Sequence, residues 1–195
     1  MTTAIDSLRA LFDRTAANLR AIPDEYLEAI ERAIELLAAS LGAGGKLLVF
    51  GNGGSSADAQ HIAAELVGRF ARERAALPAI ALTSNDAILT AWSNDHAFEG
   101  VFARQIEALG RKGDVAWGIS TSGNSPNVVA ALACARERGL STVGLTGKGG
   151  GELARHCDVL LAVPQSDTPR VQELHVVTYH AICAAVEARL FGPVP

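Results

Sequence analysis

The stretch Lys46-Leu47-Leu48-Val49-Phe50-Gly51-Asn52-Gly53-Gly54-Ser55-Ser56 decides the fold. Its first half is a short, nearly all-apolar run, as expected for a parallel strand covered on both faces. Its second half sets three glycines in four positions directly ahead of a helical pattern. Glycine lets the backbone take positive φ and approach a ligand closely, and the start of the following helix offers free N–H groups to an anion. A phosphate or a polar sugar suits that chemistry, and a tight strand-to-helix turn with no ligand is the plainer alternative. A dinucleotide fingerprint fits poorly, because the third glycine of G-x-G-x-x-G would fall at Ser56 and no acidic residue ends the next strand.

Outward from this stretch, the same alternation repeats. Short apolar runs at 46–50, 79–82, 114–119, 141–145 and 159–163 read as strands, with helical segments at 56–72, 97–110, 125–138, 150–156 and 169–190. Such a βαβα series predicts the α/β class, a doubly wound sheet of five parallel strands flanked by helices. Ligands bind such sheets outside the carboxyl ends of the strands. Residues 1–43 read as an N-terminal helical pair divided at Pro23-Asp24. Ile5, Leu8, Phe12, Leu19 and Ile22 form one stripe, with Thr15 filling a slot, and Leu27, Ile30, Ile34, Leu37 and Leu41 form the other. These stripes could pack on the body at 44–195 or join copies of the chain, and the reading favours an oligomer. No linker or repeat interrupts residues 1–195, so one domain is expected.

Composition narrows the function. The chain has 195 residues, 49% apolar and 19% charged, with 17 Lys+Arg against 21 Asp+Glu for a net charge of -4. A chain of that length buries roughly 70% of its unfolded surface, which suffices for a core without disulfides or a structural metal. The mild negative charge gives no electrostatic footprint for nucleic acid or an anionic membrane. The longest apolar run, Val128 to Ala135, is far short of a spanning helix. Asp6 and Arg9 interrupt the N-terminus where a signal peptide would be apolar, so a cytoplasmic location is expected. Cys134, Cys157 and Cys183 sit among apolar residues and read as buried thiols with no disulfide framework.

Two further stretches carry chemistry. The third strand runs into Ser120-Thr121-Ser122-Gly123-Asn124-Ser125-Pro126, four hydroxyls around a glycine immediately before a helix. Such a loop can surround a phosphate with neutral donors. Plain N-capping by Ser125 needs one hydroxyl and leaves three over. In the helix after the glycine loop, His61 and Glu65 form an i, i+4 pair. Such pairs are more often surface contacts than sites, but this one lies one to two turns from the glycine loop, where it can bind a divalent metal, zinc by default. Arg69, one turn further, is a candidate anion partner, although an i, i+4 ion pair with Glu65 is the simpler reading. The last helix, with Thr168 as N-cap and Pro169 at its first position, brings Gln172 and His180. About 12 Å of helix axis separates these two, so a single site needs converging side chains or a neighbouring chain.

Taken together, GNGGSSADAQHIAAEL (51–66), ILTAWSND (88–95), ISTSGNSPNV (119–128) and TPRVQELH (168–175) resemble, in order and spacing, the phosphoheptose isomerases of the sugar isomerase (SIS) superfamily. The resemblance spans essentially the whole chain. It implies a five-stranded parallel sheet, a homotetramer with active sites at subunit interfaces, and one zinc per subunit held by His61, Glu65, Gln172 and His180. It further implies Glu65 and His180 as the acid/base pair. Asn52, Gly53, Gly54, Ser55, Glu65, Asn94, Asp95, Ser120, Thr121, Ser122, Ser125 and Gln172 then hold the sugar and its phosphate. The implied reaction converts sedoheptulose 7-phosphate to glycero-manno-heptose 7-phosphate, a step towards bacterial surface heptose. The sequence departs from the pattern at Asn85, His96 and Pro169. Three rivals share the pattern. Replication-initiator-associating binding proteins lack the Glu and second His found here, phosphosugar-sensing regulators carry an added DNA-binding domain, and isomerases of other sugar phosphates are the third.

Overall fold

The computed structural model describes residues 3–192. Two helices, α1 (Ala4–Arg20) and α2 (Asp24–Gly42), precede an alternating series: β1 (Leu47–Gly51), α3 (Gly54–Val67), β2 (Ala79–Ala81), α4 (Asp86–Asp95), α5 (Val101–Leu109), β3 (Val115–Ser120), α6 (Pro126–Glu137), β4 (Ser141–Thr146), β5 (Val159–Ala162) and α7 (Thr168–Phe191). The five strands form one parallel sheet in the order β2-β1-β3-β4-β5. The expected doubly wound sheet is therefore present.

Alternating side chains along each strand face opposite ways, and the core divides accordingly. Leu47, Val49, Val115, Trp117, Ile119, Val143 and Leu145 pack with α2, α3 and α7. Leu48, Phe50 and Ala116 pack with α5 and α6. Gly118 allows α6 to come close, since a Cβ there would lie 2.9 Å from both Val128 Cγ1 and Leu132 Cδ1.

The strand order places the working end of the sheet. The chain leaves β1 for β2 on one side, then crosses to β3 on the other, so the crevice at the carboxyl ends of β1 and β3 is the topological switch point. The glycine loop leaves β1 there and the hydroxyl loop leaves β3 there.

Several expectations need correction. The helix after β1 ends at Val67, capped by Gly68, rather than running to residue 72. The backbone N–H groups of Phe70, Ala71 and Arg72 donate instead to the buried Glu187 carboxylate of α7, at 3.0, 3.0 and 3.1 Å. Arg69 thus lies beyond the helix and pairs with Glu73, not Glu65. An unforeseen helix, α4, occupies residues 86–95, and Asn85 is its N-cap, accepting from the Ile88 N–H at 3.1 Å. His96 stacks on Trp92 with ring centroids 4.1 Å apart. Asp167, not Thr168, is the N-cap of α7, with Pro169 in its first turn. The segment 152–156 is a 3-10 turn. Only Cys183 is buried, while Cys134 and Cys157 are half-buried, and all three are free. Burial pushes the Cys157 and Cys183 thiols up to about 12, so both stay protonated and unreactive near neutral pH.

The N-terminal pair behaves asymmetrically. Tyr26, Ala29, Ala33, Leu37, Ala38 and Leu41 of α2 are buried against the body, whereas α1 buries none of its residues. Ile5, Leu8 and Phe12 are 67%, 55% and 72% exposed. An apolar groove lined by Leu19, Ile22, Leu27, Ile30, Leu174 and Val177 continues this surface between α1, α2 and α7. Among the described residues no helix is long and apolar enough to cross a membrane.

Candidate active site

The glycine loop turns through Gly53, whose φ of 56° and ψ of −122° lie where L side chains are strained. Gly54 then opens α3 beneath the side-chain amide of Gln172, and a Cβ at Gly54 would collide with Gln172 Nε2. The start of α7 is thereby seated on the start of α3. Asn52 does not point freely into solvent. Its Nδ2 donates to Asn127 Oδ1 at 2.8 Å and its Oδ1 accepts from Asn127 Nδ2 at 2.9 Å. This reciprocal amide pair joins the glycine loop to the first turn of α6, across the switch point.

The hydroxyl loop is held from behind. Gly123, at φ 70°, packs so closely on the Gly150 carbonyl that no Cβ fits. The Leu153 N–H donates to the Gly123 carbonyl at 2.9 Å and the Glu152 N–H to Asn124 Oδ1 at 2.8 Å. Ser125 occupies the N-cap position of α6 without a side-chain cap bond. Its hydroxyl lies instead 2.9 Å from that of Ser120, with Ser122 Oγ 3.5 Å further along. Plain capping is therefore not what these hydroxyls do. Ser120 is buried and Ser122 exposed, so the cluster runs from the sheet to the surface.

Beyond the two loops, α3 and α7 bring titratable groups together. Ligand-capable atoms of His61, Glu65 and His180 all lie within 4.8 Å of one another. His61 Nε2 is 2.9 Å from Glu65 Oε1, and the His61 and His180 rings meet edge to face at 5.0 Å. The Phe70 ring also packs against His180, with centroids 5.7 Å apart. Arg74 anchors this corner. Its Nη2 donates to the Glu65 carbonyl at 2.8 Å and its Nε to Glu187 Oε2 at 3.0 Å, in a pair whose side chains are 1% and 2% exposed. Burial works to raise the Glu187 carboxyl, but the Phe70 and Ala71 N–H groups and the Arg74 guanidinium outweigh it and hold it below its ordinary value.

Tyr179, Asp58 and Asn127 were not legible as site residues. Tyr179 Oη lies 2.9 Å from His61 Nδ1 and 3.5 Å from Asp58 Oδ1. Burial raises both the Tyr179 hydroxyl and the Asp58 carboxyl, with Asp58 adding to the shift on Tyr179. Proximity of Tyr179 to His180 in sequence was the only available signal. Of the expected residues, Asn94 and Asp95 stand apart. They lie exposed at the end of α4, where Asn94 Nδ2 donates to Asp95 Oδ1 at 2.8 Å, and among the described residues no hydrogen bond ties them to the two loops.

This geometry has close counterparts. A SIS domain model matches residues 11–147. The phosphoheptose isomerase of Geobacter sulfurreducens is 54% identical over 189 residues, covering 93% of this chain and all (100%) of that protein. The chain belongs to the phosphoheptose isomerase family. The family enzyme of Synechocystis sp. is likewise 54% identical over 173 residues, 89% of each chain. A solved family structure, that of the Neisseria gonorrhoeae phosphoheptose isomerase, superposes with a TM-score of 0.87 at 42% identity, covering 95% of this chain and 100% of that one.

Proposed function

We propose that the protein isomerises sedoheptulose 7-phosphate to glycero-manno-heptose 7-phosphate. The observation that carries the reading is the meeting of a carboxylate from α3, the helix that the glycine loop opens, with an imidazole from α7. Ketose-to-aldose conversion demands removal of a proton from the carbinol carbon next to the ketone, giving an enediol. A proton then returns at the former carbonyl carbon while the hydroxyl proton passes between the two oxygens. Glu65, only 21% exposed, serves as the carbon base and His180 as the partner that moves the oxygen-bound proton, each such positioned group contributing about 10²–10⁴ in rate. The glycine loop and Ser120, Thr121, Ser122 and Ser125 hold the phosphate through neutral donors, which lets it bind and leave each turnover. Ser55, Asn94 and Asp95 complete the sugar contacts in this reading.

Convergence of two imidazoles and a carboxylate supports a metal, and this nitrogen and oxygen donor set suits zinc. His61, Glu65 and His180 would hold it, with Gln172 as the fourth ligand in this reading. When bound, such a cation stabilises developing negative charge on the substrate oxygens. We further read residues 1–195 as one SIS domain that assembles as a homotetramer in the cytoplasm and serves surface heptose synthesis. The apolar stripe left uncovered on α1 and the groove beside it support assembly between copies.

Incubation of the purified protein with sedoheptulose 7-phosphate, with and without chelator, tests the reaction by NMR. Product is expected, and it is expected to fall when metal is stripped. Glu65→Gln should retain the fold and lower turnover at least about a hundredfold, and near-normal turnover would rule out the proposed base.

A further inference from the structure

Four groups lie in a chain through the site: Asp58, Tyr179, His61 and Glu65. The ends are carboxylates, which accept hydrogen bonds only, while the middle pair supplies two protons, one on the tyrosine hydroxyl and one on a neutral imidazole. Three links and two protons leave one link without a proton. The distances identify which one. Tyr179 Oη to His61 Nδ1 and His61 Nε2 to Glu65 Oε1 are both 2.9 Å, whereas Tyr179 Oη to Asp58 Oδ1 is 3.5 Å. In this arrangement Tyr179 donates to Nδ1 and Nε2–H donates to Glu65. Asp58 is left weakly engaged, and its other oxygen, Oδ2, is buried with no partner.

That arrangement cannot persist if His61 gives its Nε2 lone pair to a cation. The imidazole proton must then sit on Nδ1 and point at Tyr179, whose own hydroxyl proton must turn elsewhere. The acceptor within reach is Asp58. We propose that Tyr179 and Asp58 form a two-position hydrogen-bond relay that sets the tautomer of His61, Asp58 being the acceptor that makes the ligand form of His61 available. Tyr179 is well suited to the part. It is 1% exposed, and its ring meets His61 and His180 edge to face at 5.4 and 4.8 Å, so the hydroxyl is fixed while only its proton reorients. Both are positioning residues, acting on the metal through His61. The inference rests on the zinc reading above and adds to it the groups that decide which imidazole nitrogen is free.

The test combines long-range 1H–15N spectra of the histidine rings with zinc affinity measured by competition against a chromophoric chelator. Metal-free wild-type protein should show His61 as the Nε2–H tautomer, and zinc should convert it to Nδ1–H. Asp58→Ala should leave the metal-free tautomer unchanged yet weaken zinc binding about 10- to 100-fold. Asp58→Asn, which keeps the shape and a neutral acceptor, should fall between, and it provides the readout if the alanine variant folds poorly. Tyr179→Phe should weaken zinc binding to a similar degree and allow both tautomers. A metal-free His61 already in the Nδ1–H form, or equal zinc affinity in wild type and both Asp58 variants, would overturn the relay. A wild-type protein that takes up no zinc would overturn the metal reading and the relay with it, a result distinct from equal affinity across the series.

Discussion

Acidification is expected to weaken the fold through a histidine outside the catalytic group. His175 on α7 is 0% exposed and neither ring nitrogen has a hydrogen-bond partner. Burial drives its pKa down from 6.5 to about 4, and the Thr146 backbone opposes the shift from outside hydrogen-bond geometry. Between those two values the unfolded chain binds more protons than the folded one. Its contribution is therefore fully present above about pH 6.5, declines as the pH falls, and levels out below about pH 4. A gap of about 2.5 pH units at about 1.4 kcal/mol each gives about 3 kcal/mol in all, of which about 1.4 is gone by pH 5.5. Urea unfolding at about pH 7.5 and 5.5, at fixed protomer concentration because assembly shifts apparent stability, measures it. His175→Leu retains a buried side chain of similar bulk and removes the titration. Wild type should lose about 1.4 kcal/mol more than the variant over that interval. Equal losses in the two proteins would refute the argument, whatever their absolute stabilities.

Other perturbations address the site and its support. Asn127→Ala removes both amide bonds to Asn52 and leaves that side chain unsatisfied. KM for the sugar phosphate should rise about tenfold, the equivalent of one to two hydrogen bonds, and unchanged steady-state constants would show that the pair does not organise the cradle. Arg74→Met strands the buried Glu187 carboxylate and should cost about 3 kcal/mol in thermal or urea unfolding. A loss below about 0.5 kcal/mol would mean that the three backbone donors suffice without the guanidinium. Phe12→Asp places a charge in the exposed stripe of α1, and light scattering should then report a smaller assembly. An unchanged mass would exclude that stripe from the interface.

Much of the architecture was readable because it depends on local pattern. Each strand was marked by a short β-rich apolar run, and a parallel sheet needs such runs because helices cover both its faces. The glycine loop and hydroxyl loop were legible for a similar reason, since positive φ at Gly53 and Gly123 demands glycine whatever the surroundings. Helix α4 escaped notice because its start is marked by a single asparagine cap at Asn85, and the apolar positions Ile88, Leu89 and Trp92 span little more than one turn. The end of α3 was misjudged for the opposite reason. Gly68 is a local stop signal that the reading passed over because Arg69, Phe70, Ala71 and Arg72 are acceptable helix formers, but Glu187, more than a hundred positions later, takes the backbone N–H groups of residues 70–72.

The sequence by itself determined the class of fold, the two loops at the switch point and the i, i+4 pairing of His61 with Glu65, all consequences of backbone period and glycine freedom. Only the tertiary structure decided that His180 reaches that pair, that Asn52 is committed to Asn127, and that Tyr179 and Asp58 stand behind His61. The contacts of Tyr179 with His61 and Asp58 join residues 118 and 121 positions apart, and the Asn52–Asn127 pair joins residues 75 apart. The contacts between α3 and α7 depend on the angle at which those helices cross, and the Asn52–Asn127 pair on how α6 seats beside the glycine loop, both set by side-chain packing that no local periodicity records.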